Sequence, residues 1–484
     1  MRAMSPTLVV LRGYLTLLLL LAFGPAAAAQ SQILEIASDS LTSYRYTGNT
    51  PVQGVRPQYN QRGVTIDGAM RSPPAYPMVL AGNPFENAWT GRESYGGIRA
   101  DLGAFAPQDI DIALPTDGVP WVIGRTYNAR QLDSGGSAMN SNGYQGKNWF
   151  QTSQPEIRFY DDATNTKDLI YIVYGADRYV EFARAGTSSN QFKGKNGAAG
   201  CVNYVSGSPD TYVYTDQHGN EWTFFGFNTS GNTTDGQFWK VTTPNAKTSF
   251  VGDASTASTA ISNGYSGGKI TTAYDASDRR FTYTYSTLNG TSRLTQVKAE
   301  TKTGGTWASS PTGVATAVQV DYTYYADESH GDIGDLKQVK ITTRLNDSGG
   351  ETDEQIKRKH YRYWEGSADD TASYNASTNP GYPHELKYVY DFEGVRVYDW
   401  QDSNFDEDHL TETDANLEPY ASAYFEHESG RKIREAWFDG QCGCGGGSNG
   451  TFTFAYHTNS SYTNNSGYDT TWCARTVVGR PDDS

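Results

Sequence analysis

From Ile261 to the C-terminus the chain repeats one local grammar, and that repetition limits the fold more than any other feature. The units read GGKITTAYDASDRRFTYTY, SRLTQVKAE, VQVDYTYYADESHGDIGDLKQVKITT, HELKYVYDFEGVRVYDW and ASAYFEHESGRKIREAWF. The pattern is a Tyr-x-Tyr run, an Asp/Gly turn and a second run of L-x-x-V or R-V-x-V type. Side chains of a strand point alternately to opposite faces, so each run offers one apolar face. A lone two-stranded hairpin is at best marginal in water, whereas stacked neighbours bury such faces between them. The expectation is an all-β chain of tandem antiparallel hairpins, and 34 Tyr, 51 Gly and only 5 Met agree with strands and many turns.

A second hairpin signal stands earlier. Asp109 and Asp111 alternate with Ile110, Ile112 and Leu114, the turn Pro115-Thr116-Asp117-Gly118 follows, and Val119, Trp121 and Ile123 lead to Arg125-Thr126-Tyr127-Asn128-Ala129-Arg130. Proline presets φ for the turn and glycine admits φ > 0. Further strands are expected at Trp149-Phe150, EIRFY (156–160), LIYIVY (169–174), RYVEF (178–182), TYVY (211–214) and EWTFFGF (221–227).

The N-terminus has the physics of a secretory signal over residues 1–29: basic Arg2 and Arg12, an apolar core from Tyr14 to Phe23, then Gly24-Pro25 and small residues. That core is short for a membrane span and has no second copy, so the mature chain is expected to be exported, secreted or at the cell surface, without a transmembrane segment. Removing Arg2 and Arg12 leaves 37 basic against 54 acidic residues, a net charge near -17, which repels a nucleic acid backbone. Residues 30–94 form an irregular Ser/Pro/Gly-rich lead, 95–253 a hairpin module and 254–484 the degenerate repeats. The chain stops where another unit would start, so the repeat series is expected to be incomplete. An exported chain can oxidise Cys201, Cys442, Cys444 and Cys473, whose three pairings stay open.

Two G-x-S-x-G segments, Gly264 to Gly268 and Gly446 to Gly450, lack the strand-then-helix context of a nucleophile elbow and read as glycine loops. The seven histidines form no metal-ligand motif, and most tryptophans are expected to fill sheet cores. The one metal candidate is the acidic run Asp402, Asn404, Asp406 and Asp408, with Glu412 and Asp414 beyond. Alternating oxygens suit calcium, although an EF-hand would need Gly where Glu407 stands and Glu where Thr413 stands. A solvated acidic turn is the alternative, and no other cofactor is indicated.

These motifs resemble the bacterial Rhs/YD-repeat proteins, a family that includes the teneurin-like YD shells. Leu114-Pro115, Gly118, Pro120 and Arg125 to Arg130 match the opening strand pair, and Tyr274-Asp275, Tyr390-Asp391 with Gly394, and Gly430-Arg431 with Ile433 echo the repeat. The resemblance implies a β-sheet ribbon curled into a shell. No D-P-x-G-x-x-D core or toxin domain accompanies it. The function it implies is a non-enzymatic scaffold that encloses cargo or meets a surface glycan or protein. A secreted glycosidase-type hydrolase with an unidentified carboxylate pair is the alternative.

Overall fold

The computed structural model describes residues 107–127, 143–151, 155–160, 168–175, 178–187, 189–195, 198–227, 234–326, 329–344, 354–365, 380–402, 407–428, 431–442, 449–458 and 474–479, with short strand pieces between 58 and 105. Expectations about the signal segment and most of the lead fall outside the described residues.

Twenty strands, from Glu156–Tyr160 to Ala474–Gly479, belong to one sheet, each pairing antiparallel with the strand before it in that sheet. The sheet crosses residues 253 and 254 without a break, because Phe250 pairs with Tyr274. The chain is mostly β, as the tyrosine-rich alternation requires. Among the described residues three excursions leave the ladder: a helix at Ala257–Gly264 with the small hairpin Tyr265–Ser266 and Lys269–Ile270, a surface hairpin at Gly304–Thr306 and Ser309–Thr312, and a helical insert from Phe392 to Tyr420.

The insert departs from expectation. Val395, Val397 and Tyr398 read as a strand, but Phe392–Asp402 is a helix. Asp391 explains it: Oδ1 accepts from Gly394 N at 2.8 Å and its carbonyl from Val395 N at 3.0 Å, which caps a first helical turn. Val395 and Tyr398, three apart, are buried while Trp400 is exposed.

Among the described residues one tight turn recurs along the sheet, at Asp216 and Thr243 before the repeats and at Asp275 within them. Asp216 Oδ1 accepts from His218 N at 2.8 Å and Asn220 N at 2.9 Å; Asp275 Oδ1 accepts from Ser277 N at 2.9 Å and Arg279 N at 3.1 Å. The fourth residue of each turn is left-handed, Gly219 at φ +80° and Asp278 at φ +61°. A third turn has the same backbone: Thr243 N donates to Lys247 O, Ala246 N to Thr243 O, and Ala246 lies at φ +60°. There Thr243 Oγ1 takes the carboxylate's place, accepting from Lys247 N at 3.1 Å. A short polar side chain that ties down one or two of the turn's amides is what lets these tight turns recur.

Inside the long sheet lies a three-stranded piece made of Gln108–Ala113, Val122–Tyr127 and Trp149–Gln151, with a bulge between Ile110 and Ile112. All six residues of Val122–Tyr127 are buried. Successive side chains of a strand face opposite ways, so protein covers both faces of this hairpin. Its contacts name the cover: Trp121 packs on Phe238 and Phe281, Trp149 on Tyr361, and Phe105, just before the hairpin, on Phe425. The long sheet therefore curls around the hairpin, and one hydrophobic core joins Ile98 to Phe454. Trp149, Trp222, Trp239, Trp364 and Trp437 are buried, whereas Trp400 is 65% exposed.

Candidate functional site

The strand Glu354–Tyr363 organises the polar chemistry of the molecule, because its two faces hold two different clusters. The odd face meets the inner hairpin. Arg125 donates to Asp109 at 3.0 Å, to Asp111 and, at 2.5 Å, to the Tyr361 hydroxyl. Lys359 Nζ lies 2.5 Å from Asp109 Oδ1, and the Tyr322 hydroxyl donates to Asp111 Oδ2 at 2.8 Å. Two carboxylates and two cations are thus sealed together. Burial works against the charge on Asp109, yet Lys359 and Arg125 hold its carboxyl below the ordinary range. Arg125 also lies over the Trp149 ring at 5.1 Å. Asp109 and Asp111 form a close carboxylate pair, but buried and neutralised they are closed to a substrate.

The even face meets the helical insert. Arg358 lies 3.3 Å from both Asp399 and Glu407, and Lys340 3.3 Å from Glu407. Arg362 spends its donors on Asp414 Oδ1 at 2.6 Å, on His409 O at 3.2 Å, on Glu412 O at 2.6 Å and on His360 Nε2 at 3.1 Å. Lys387 reaches Asp414 Oδ2 at 2.6 Å, and His330 Nδ1 lies 3.2 Å from Oδ1. Burial alone would raise Asp414; hydrogen bonds from His330, Lys387 and Arg362 override it and hold the carboxyl far below the usual carboxylate range. Over this anchor opens a cleft of about 470 Å³ lined by Ser329, His330, Leu410, Thr411, Thr413 and Asp414.

A third cluster closes the rim of the hairpin. His384, at φ +67°, places Nδ1 2.9 Å from Asp335 Oδ1 and Nε2 2.6 Å from Lys147 Nζ. Asn148, at φ +64°, donates to the His384 carbonyl at 3.1 Å. Asp332, Asp335 and His384 bring three ligand-type atoms within 4.8 Å. The ammonium of Lys147 already supplies the positive charge there, and with Nδ1 donating to a carboxylate and Nε2 accepting from Lys147, the imidazole keeps no lone pair for a cation.

Of the calcium candidates, Asp402 ends the insert helix and its side chain, like Asn404 and Asp406, lies outside the described residues. Asp408 opens the turn Asp408–Leu410 and groups with Asp399 and His409 within 4.8 Å. His409 has Nδ1 3.2 Å from Asp399 and Nε2 2.8 Å from Gln338 Oε1, so both ring nitrogens are engaged. Glu412 turns to Thr413 N and Asn416, and Asp414 to its cations. Ser266 sits exposed in a tight hairpin, with no helix after it, as a glycine loop should. Ser448 lies outside the described residues, as do the side chains of Cys442, Cys444 and Cys473. Cys201 is a free thiol among the described residues. No described helix is long and apolar enough to cross a membrane.

The fold and clusters define a mostly β protein in which a single long antiparallel sheet encloses a hairpin through buried ion pairs. No protein-family model matches the chain, and no curated protein matches it. Among solved structures, the N-terminal domain of the effector protein SpvB from Salmonella typhimurium strain LT2 is similar at 14% identity, covering 53% of this chain and 95% of that one, with a TM-score of 0.26.

Proposed function

We propose that the chain is an exported Rhs/YD-repeat-like scaffold without catalytic chemistry of its own, whose role is to enclose a polypeptide segment and to present the outer surface of its sheet to a cell-surface glycan or protein. The observation that carries this reading is the inner hairpin, buried on both faces and tied by Arg125, Asp109 and Lys359 to strands more than two hundred residues away. The charged groups around the hairpin support it too, since Asp109, Asp111, Arg125 and Lys359 neutralise one another in the core. A purified mature chain should show no turnover on a broad panel of glycan and ester substrates. Reproducible turnover abolished by one Asp or Glu substitution would overturn the scaffold reading and put a hydrolase in its place.

A further inference from the structure

The cleft above Asp414 has no part in enclosing the hairpin, and we propose that it binds a neutral saccharide. Its size falls within the range of small-ligand sites. Both walls are fixed to the same strand. On one side Tyr363 N donates to His330 O at 2.8 Å, and His330 N donates to the Glu365 carboxylate. On the other, Arg362 holds the carbonyls of His409 and Glu412, which bracket Thr411. A site built this way is preformed and loses little ordering entropy on binding.

The class of ligand follows from which groups are spent and which are left. Arg362 gives four hydrogen bonds, to Asp414, two backbone carbonyls and His360, and Lys387 is drawn to Asp414 Oδ2. Among the described residues no uncommitted Lys or Arg lines the cleft to hold a phosphate or carboxylate. Leu410 is the one apolar lining residue among them, too little for an apolar ligand. The other lining groups are hydroxyls, an imidazole and the Asp414 carboxylate, whose oxygens already accept from Arg362 and Lys387. Thr411 Oγ1 donates to Asp408 O at 3.1 Å and so accepts from a ligand; Thr413 Oγ1 accepts from Asn416 N at 3.3 Å and gives its own proton to Glu412, so it too meets a ligand as an acceptor. His330 turns Nδ1 to Asp414, which leaves Nε2 for a ligand, and Ser329 adds a hydroxyl of either sense. Adjacent groups that both give and take hydrogen bonds, beside one aliphatic side chain, match the hydroxyls and C–H face of a pyranose.

Saturation-transfer NMR and calorimetry on the mature chain, with glucose, galactose, mannose, N-acetylglucosamine, maltose and cellobiose as probes and glucose 6-phosphate as the charged control, test this. At least one neutral sugar should bind, and Thr411→Val and His330→Ala should each weaken it about tenfold, the loss of one good hydrogen bond, with the melting temperature kept. Absence of transfer from every neutral sugar at roughly 10 mM, binding untouched by both substitutions, or tighter binding of the phosphorylated sugar would overturn the proposal. If His330→Ala does not fold, Thr411→Val carries the test. Failure here leaves the scaffold reading intact, because that reading is judged by turnover.

Discussion

Arg125 and Asp109 face each other across one rung of the inner hairpin, Nη2 to Oδ2 at 3.0 Å, with both side chains closed off from solvent. Removing the cation strands Asp109 and Asp111 in the core with Lys359 alone to balance them. Arg125→Ala is therefore expected to cost about 3–5 kcal/mol, seen as a lowered urea midpoint. A loss under about 1 kcal/mol would mean that water reaches the pair.

Acid should weaken the fold in two stages. His360 is held neutral far below its ordinary range, first by burial and then by Arg362 and His409. Below about pH 6.5 the unfolded chain takes up a proton that the folded chain refuses, so stability falls with pH by at most about 1.4 kcal/mol per unit. His427, pushed down by burial to about 4, adds a slope of the same sign, so His360→Gln should reduce the slope between about pH 6.5 and 5 in denaturation curves without abolishing it. Asp109 and Asp414, held low, contribute fully above about pH 4 and lose that contribution below it.

Asp216 and Asp275 each hold two turn amides, so Asp216→Ala and Asp275→Ala should each cost about 1–3 kcal/mol by thermal denaturation. Comparable losses at both positions would establish the turn as the repeated element. A loss at one alone would make the likeness coincidental.

The third turn holds a strained residue. Ala246 is exposed and left-handed, where its Cβ crowds the backbone. Ala246→Gly is expected to raise stability by roughly 0.5–1 kcal/mol, measured by the denaturation midpoint.

Tyr127 is a buried hydroxyl with two duties, donating to His384 O at 2.7 Å and accepting from Leu386 N at 3.1 Å. Tyr127→Phe leaves that amide and carbonyl less well satisfied and should lower stability by about 1–3 kcal/mol. Hydrogen exchange should report faster loss of the Leu386 amide proton in the variant.

Much of the fold was legible because strands advertise themselves by alternation. EIRFY, LIYIVY, RYVEF, TYVY and EWTFF each became a strand near its expected bounds. Gln191–Gly194 gave no such signal, since four residues with one buried side chain hold too little pattern. In Phe392–Asp402, β-branched residues masked the capping aspartate before them, and the cap with its Val395 and Tyr398 spacing won. The clusters were far less legible. Asp109 is 250 residues from Lys359, and Lys147 is 237 from His384, so nothing local marks either pair. Asp414 stood out only as part of an acidic run, while its role comes from Arg362, Lys387 and His330 on other elements.

The enclosed hairpin sets an order of assembly. It is made early in the chain, yet the lysine and tyrosine that settle its charges arrive some 250 residues later. Until then Arg125 and its two aspartates have only water and one another, so the early segment has to wait, loosely formed, while the wall that will hold it is still being made. Contacts this distant in sequence favour slow folding, so the hairpin's charges stay unsettled for most of the time the chain takes to fold.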